Sequence, residues 1–211
     1  MRTALACIVL LALAGGAHAL SIQHISSDAE LNALISDTIF VAEGRIGDRG
    51  GAATFELDLG QSTAAPAVTR QYAWQNGFVE PFSLVYDIAT GNVTFSLGGQ
   101  TLVYHTPFIN FGDIFVRTRA VYAGTSVVVS DLVLDGESVG SASSATGPGL
   151  DIVWISGGTL MDGFTLTGSA VLSWTGTPPS QSNLAFQIKV AKLAVIGVEG
   201  STWGGIKALF R

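Results

Sequence analysis

The sequence predicts an all-β domain: an antiparallel two-sheet sandwich, jelly-roll-like, with one short N-terminal helix. Three observations carry this. From Thr38 onward apolar residues recur at every second position, the period of a half-buried strand. Turn chemistry separates these runs at close intervals. No stretch of helical periodicity falls between them, so there are no helices to cover a parallel sheet.

The helix comes first. Within 20–37, Ser27 and Glu30 make an S-x-x-E capping box, and Leu31, Leu34 and Ile35 make an apolar stripe. About two turns cannot stand alone, so the helix is expected to lie as a lid over one end of the core. The strands follow. Phe55, Leu57 and Leu59 alternate with Glu56 and Asp58; Phe82, Leu84 and Tyr86 with Ser83, Val85 and Asp87; Val93, Phe95 and Leu97 with Thr94 and Ser96. Phe164 and Leu166 alternate with Thr165 and Thr167, and Leu184, Phe186, Ile188 and Val190 with Ala185, Gln187 and Lys189. Turn signals include Asn76-Gly77, Gly98-Gly99, Asp135-Gly136 and Asp162-Gly163. Residues 82–87 and 93–97 read as a hairpin, as do 127–134 and the strand before them. The Ser/Gly-rich stretch 141–149 reads as a loop. Thr177-Pro178-Pro179-Ser180 reads as a rigid turn before the last long strand.

The chain is expected to divide into a signal peptide (1–19), a β-sandwich domain (20–192) and a C-terminal strand with a short basic amphipathic tail (193–211). Met1-Arg2-Thr3 gives a basic start, residues 4–14 an apolar run, and Ala17-His18-Ala19 a small-x-small cleavage site. The run is too short for a lasting membrane anchor. Cys7, the single cysteine, lies inside it, so the exported domain would stand without disulfides, on its apolar core. Secreted or cell-surface localisation follows, with no transmembrane anchor after cleavage.

Charged residues make up 12% of the chain, about half the usual share. Taking Arg2 from the ten Lys and Arg leaves nine against 16 Asp and Glu, a net charge of −7. That balance argues against nucleic acid, whose phosphates call for clustered cations, and against anionic lipid.

Several stretches resemble the choice-of-anchor W domain of exported bacterial proteins: 40–47 (Phe40-Val41-Ala42-Glu43-Gly44-Arg45-Ile46-Gly47), 74–77, 113–119, 131–136 and 182–189. The resemblance implies an exported domain followed by a surface-sorting tail, and no enzymatic activity. This chain departs from it, with no Pro-Glu-Pro tag and no terminal apolar helix. Its ending, Trp203-Gly204-Gly205-Ile206-Lys207-Ala208-Leu209-Phe210-Arg211, resembles another short C-terminal element of exported bacterial proteins. Such a tail is expected to engage a surface-sorting or partner system.

Catalytic chemistry is thin. Beyond the leader the histidines are His24, before the helix, and His105, at a strand end. There is no G-x-S-x-G elbow, no cysteine nucleophile and no zinc spacing. Paired carboxylates, Glu56 with Asp58 and Glu80 with Asp87, satisfy the minimal need of a glycan hydrolase, but any polar strand face supplies such pairs. Asp131, Asp135, Glu137 and Asp151 gather hard oxygen ligands around a turn and would suit a structural calcium; no other cofactor is expected. Tyr72 and Trp74, two apart, are the best aromatic pair for stacking on sugar rings. Arg117 and Arg119 share one strand face and need carboxylate partners, from this chain or from a carboxylated polymer.

Three functional classes follow: a non-catalytic secreted or cell-surface β-sandwich with a structural, matrix or surface-assembly role; an extracellular carbohydrate-binding module; and a glycan-active hydrolase. The first is preferred. The expected partner is a polysaccharide or surface-matrix component.

Overall fold

The computed structural model describes residues 20–47, 54–106, 112–157 and 160–194. The expected signal peptide and the tail from 195 onward lie outside the described residues. In chain order the elements are β1 (Ser21–Ile25), α1 (Asp28–Leu34), β2 (Ile35–Gly47), β3 (Thr54–Gly60), β4 (Val68–Gln71), β5 (Glu80–Asp87), β6 (Asn92–Leu97) and β7 (Gln100–His105). Then come β8 (Asp113–Ala120), β9 (Thr125–Leu134), β10 (Glu137–Ser138), β11 (Ser143–Thr146), β12 (Gly149–Ser156), β13 (Phe164–Trp174) and β14 (Leu184–Leu193).

The strands form two antiparallel sheets, as the alternation requires. The first has the order β1-β12-β8-β14-β2-β3-β4 and the second β10-β9-β13-β5-β6-β7, with β11 also pairing β9. Each sheet turns one face inward. Phe40, Ala42 and Ile46 of β2, Ile114 and Val116 of β8, and Phe186, Ile188 and Val190 of β14 meet Leu84 and Tyr86 of β5, Phe95 of β6, and Leu166 and Leu172 of β13. Gly44 completes the inward row of β2. A Cβ there would lie 2.4 Å from the Phe186 ring and 2.9 Å from Trp74, so its missing side chain is what admits both rings.

The expected hairpin of 82–87 with 93–97 is β5–β6, with Phe82 opposite Leu97 and Tyr86 opposite Val93. The expected hairpin of 127–134 with the strand before it does not form. β8 pairs β12 and β14 in the first sheet, whereas β9 pairs β13 in the second. The turn between them therefore crosses from one sheet to the other. Alternation fixes which side chains face inward, not which sheet a strand joins. The stretch 141–149 is not a free loop, since Ser143–Thr146 pairs β9 in register from Ser143–Val129 to Thr146–Ser126.

The helix forms where its cap predicts. The Ser27 hydroxyl accepts the Glu30 N–H at 3.1 Å, while the Glu30 carboxylate accepts from Ser26 rather than from the cap residue itself. Its position differs from the expected one. Leu31 packs with Ile25, Phe115, Ile152 and Ala191 in a small second core. Phe115 is flanked by Ile114 and Val116, which face the main core, so α1 covers the outer face of the first sheet and not its end.

Candidate functional site

The outer face of the first sheet carries most of the buried charge, and strand register explains how. Gln187 of β14 stands opposite Arg117 of β8 on one side and Glu43 of β2 on the other, and Glu43 stands opposite Asp58 of β3. The next row runs Arg119, Ala185, Arg45, Glu56 and Gln71. Side chains in such rows are direct cross-strand neighbours.

Arg45 is the centre of this face. Its guanidinium meets Glu43 at 3.1 Å and Asp58 at 2.6 Å. It also donates through Nε to Glu56 at 2.9 Å, with a second close contact from Nη2. All four groups are shut away from water: Glu43 is 2% exposed, Arg45 7%, Glu56 2% and Asp58 1%. Three carboxylates on one guanidinium leave excess negative charge in a dry place. Burial pushes the Glu43 carboxyl above its usual range, and the nearby Asp58 adds to this, while Gln187 and Arg45 pull it back. Gln187 donates to Glu43 Oε1 at 2.8 Å. Sequence pattern shows Glu56 and Asp58 on one face but not Arg45 between them, which follows from the β2–β3 register.

Arg117 lies further along. It grips Asp28 of α1 with two parallel bonds, Nε to Oδ1 at 2.6 Å and Nη2 to Oδ2 at 2.7 Å. The Arg117 bonds hold the Asp28 carboxyl below its usual range against an opposing effect of burial. The carboxylate partner expected for Arg117 is thus in this chain. Arg119 shares the face, as predicted, and is exposed without an ion-pair partner among the described residues.

Beside Arg117 stands Lys189, half-buried, its ammonium in no ion pair or side-chain hydrogen bond among the described residues. Burial, then Arg117, lowers its affinity for the proton. It lines a hollow of about 360 Å³ with Asp37, Thr38, Gln61, Ser62 and Gln187. Nothing in the sequence singles out Lys189, because an outward lysine on a strand is ordinary until its neighbours are known.

The aromatic pair is placed differently from the expected sugar platform. β4 ends at Gln71, so Tyr72 and Trp74 are not successive residues on one strand face. Trp74 is 4% exposed, edge-on to Phe186 at 6.1 Å and to Tyr72 at 5.1 Å. Its ring is part of the main core and offers no open face for stacking. Tyr72 packs against that core and donates its hydroxyl to Glu80. Burial and that carboxylate both raise the phenol's pKa above its ordinary value.

The four acids expected to hold calcium are spread over separate positions, three of them engaged in the backbone turns and contacts of the fold. Asp131 sits at φ +53°, where β9 gains one residue on β13: Thr167 pairs Val133 while Ser169 pairs Ser130. This bulge re-phases the strand, so that Val127 and Val129 before it and Leu132 and Leu134 after it all reach the core. Asp135, with Gly136, makes the two-residue turn from β9 to β10, both at positive φ. Its carboxylate accepts the Thr165 N–H at 2.7 Å. Glu137 is exposed on β10. Asp151 accepts from His24 Nδ1 and from the Ser144 N–H, each at 2.9 Å. Among the described residues no three His, Cys, Asp or Glu side chains gather as a metal-holding group.

His24 also reaches Ser141 Oγ through Nε2 at 2.9 Å. Acid, imidazole and hydroxyl thus stand in the order of a hydrolytic relay, which sequence spacing did not reveal. The His24 side chain is 53% exposed on an edge strand, and Ser141 lies between β10 and β11, not on a strand-to-helix elbow. What these contacts do in the fold is tie the edge strand β1 to the 141–144 segment.

No family model matches the chain, and no curated protein matches it.

Proposed function

We propose that this protein is a non-catalytic, exported β-sandwich of the cell surface or its matrix, with a structural or assembly role. The observation that carries the reading is how the chemistry-bearing groups are spent. Trp74 is in the core, Arg117 is closed by Asp28, and Arg45 is closed by three carboxylates. Groups engaged in this way hold sheets together rather than meet a substrate. The leader-like start and the resemblance to an exported domain family support the compartment. On this reading neither calcium nor another cofactor is needed.

The test is direct. Fractionated cells should yield the protein outside the cytoplasm with a new N-terminus at Leu20. The purified protein should leave a fluorophosphonate probe unreacted. Labelling of Ser141, lost in His24→Ala, would overturn the non-catalytic reading and make the His24 relay an active site.

A second reading, saccharide binding, is favoured by one feature, the polar hollow at Lys189. Its amides and hydroxyls are the groups that exchange hydrogen bonds with sugar hydroxyls.

A further inference from the structure

We propose that the hollow at Lys189 binds a carboxylated sugar residue, a uronic acid, with the Lys189 ammonium as its carboxylate anchor; this rests on the second reading above. The first support is electrostatic. Every other cation on the buried part of this face is neutralised: Arg45 by Glu43, Glu56 and Asp58, and Arg117 by Asp28. Lys189 has no such partner among the described residues. Its charged neighbours from the packed elements are Arg117, which repels it, and Asp28 and Glu43, which attract it from beyond ion-pair distance while engaged elsewhere; Asp37 lines the same hollow without forming an ion pair with it. A half-buried ammonium without a counter-ion is costly, and an entering carboxylate would supply the missing charge.

The second support is shape and lining. The hollow, about 360 Å³, is at the small end of ligand sites. Of the lining residues, Lys189 and Gln187 belong to β14 and Asp37 and Thr38 to β2, while Gln61 and Ser62 follow β3. Gln61 Nε2 lies 3.5 Å from the Thr38 carbonyl, and its amide oxygen has no partner among the described residues. Gln187 gives an N–H to Glu43, and its amide oxygen likewise has no partner among the described residues. These acceptors, with the hydroxyl-bearing Thr38 and Ser62 of the lining, suit sugar hydroxyls. The anchor and the hydroxyl-binding groups are separate, which is the layout a uronic acid requires and a simple anion does not.

The experiment is an NMR titration of the folded 20–211 chain with methyl glucuronide, methyl glucoside and acetate. The glucuronide should shift the amides of Thr38, Gln61, Gln187 and Lys189. The glucoside and acetate should each bind about tenfold more weakly or worse, as expected when one charged hydrogen bond or several neutral ones are lost. Lys189→Met should bring glucuronide affinity down to that of the glucoside. Gln61→Ala, at an exposed position, should weaken the glucuronide while leaving acetate unchanged. Equal binding of glucoside and glucuronide would overturn the anchor and leave saccharide binding standing. Acetate binding as tightly as the glucuronide would overturn the sugar-specific site. No shift with any of the three would overturn both this proposal and the saccharide reading.

Discussion

Arg45 is the residue on which the outer face of the first sheet depends. Remove its charge, and Glu43, Glu56 and Asp58 remain buried together. Breaking a buried ionic group by deleting one partner costs about 3–5 kcal/mol. Arg45→Met should therefore lose about that much stability at neutral pH, read from urea unfolding. The deficit should shrink as pH falls toward about 4, because carboxyls stripped of their counter-ion take up protons readily. A loss under about 1 kcal/mol at neutral pH would mean the group behaves as an exposed ion pair. In the native protein Glu43 has its own sign. Its folded pKa lies above the unfolded value of 4.5, so what it adds to stability is present below that pH and lost as pH rises through the folded value. At this scale the sequence was only partly legible. Glu56 and Asp58 could be placed on one face from their spacing. Trp74 could not be placed, because its burial depends on Gly44 leaving room from a strand thirty residues away.

Elements differ in how much of their position is local. The start of α1 is local: Ser27 caps it, and the cap is visible in four residues. Its docking is not local, since Phe115, Ile152 and Ala191 come from β8, β12 and β14. The helix has seven residues, so packing and the Asp28–Arg117 pair must hold it. Leu31→Ala should cost about 2–5 kcal/mol. The pair adds an acid-sensitive step. Arg117 holds the folded pKa of Asp28 below the unfolded value of 3.8. The contribution is thus fully present above that value and lost as pH falls through the folded one. Trp154, stacked on Phe115 at 5.8 Å, also donates to Asp113 at 2.7 Å, so the event is read from it in an Asp113→Asn background. Its fluorescence should change on acidification, and Asp28→Asn should remove that step from the titration. An unchanged step in Asp28→Asn would assign it to other carboxyls. The long strands were legible for the same reason the helix cap was: period two needs nothing beyond the strand itself. The short strands β1, β4, β10 and β11 lie at sheet edges or pair only part of a neighbour, where few inward positions exist to write a pattern.

The whole molecule is assembled from distant parts of the chain. β14, the last described strand, lies in the middle of the first sheet, between β8 and β2. Leu184 pairs with Ile46 and with Ala120, so β2 and β3 have no strand pairing that reaches β8 until β14 arrives, while α1 bridges them through Asp28–Arg117 and Leu31–Phe115. Alternation could not show this, because it marks faces and is silent about neighbours. The closure of so large a loop makes non-local sheets slow to form. Two truncations should therefore behave in opposite ways. A chain ending at Asn183 lacks the strand that joins the two halves of the first sheet and removes Phe186, Ile188 and Val190 from the core. It should fail to unfold cooperatively and should expose apolar surface that binds a hydrophobic dye. A chain lacking 199–211 keeps all of β14, which ends at Leu193. It should unfold in one transition within about 0.5 kcal/mol of the full-length protein, the range of substitutions away from core and caps, yet change its retention at the cell surface. Loss of cooperative unfolding in the second truncation would make the tail part of the fold, and its sequence would then have to be read as structure and not as an address.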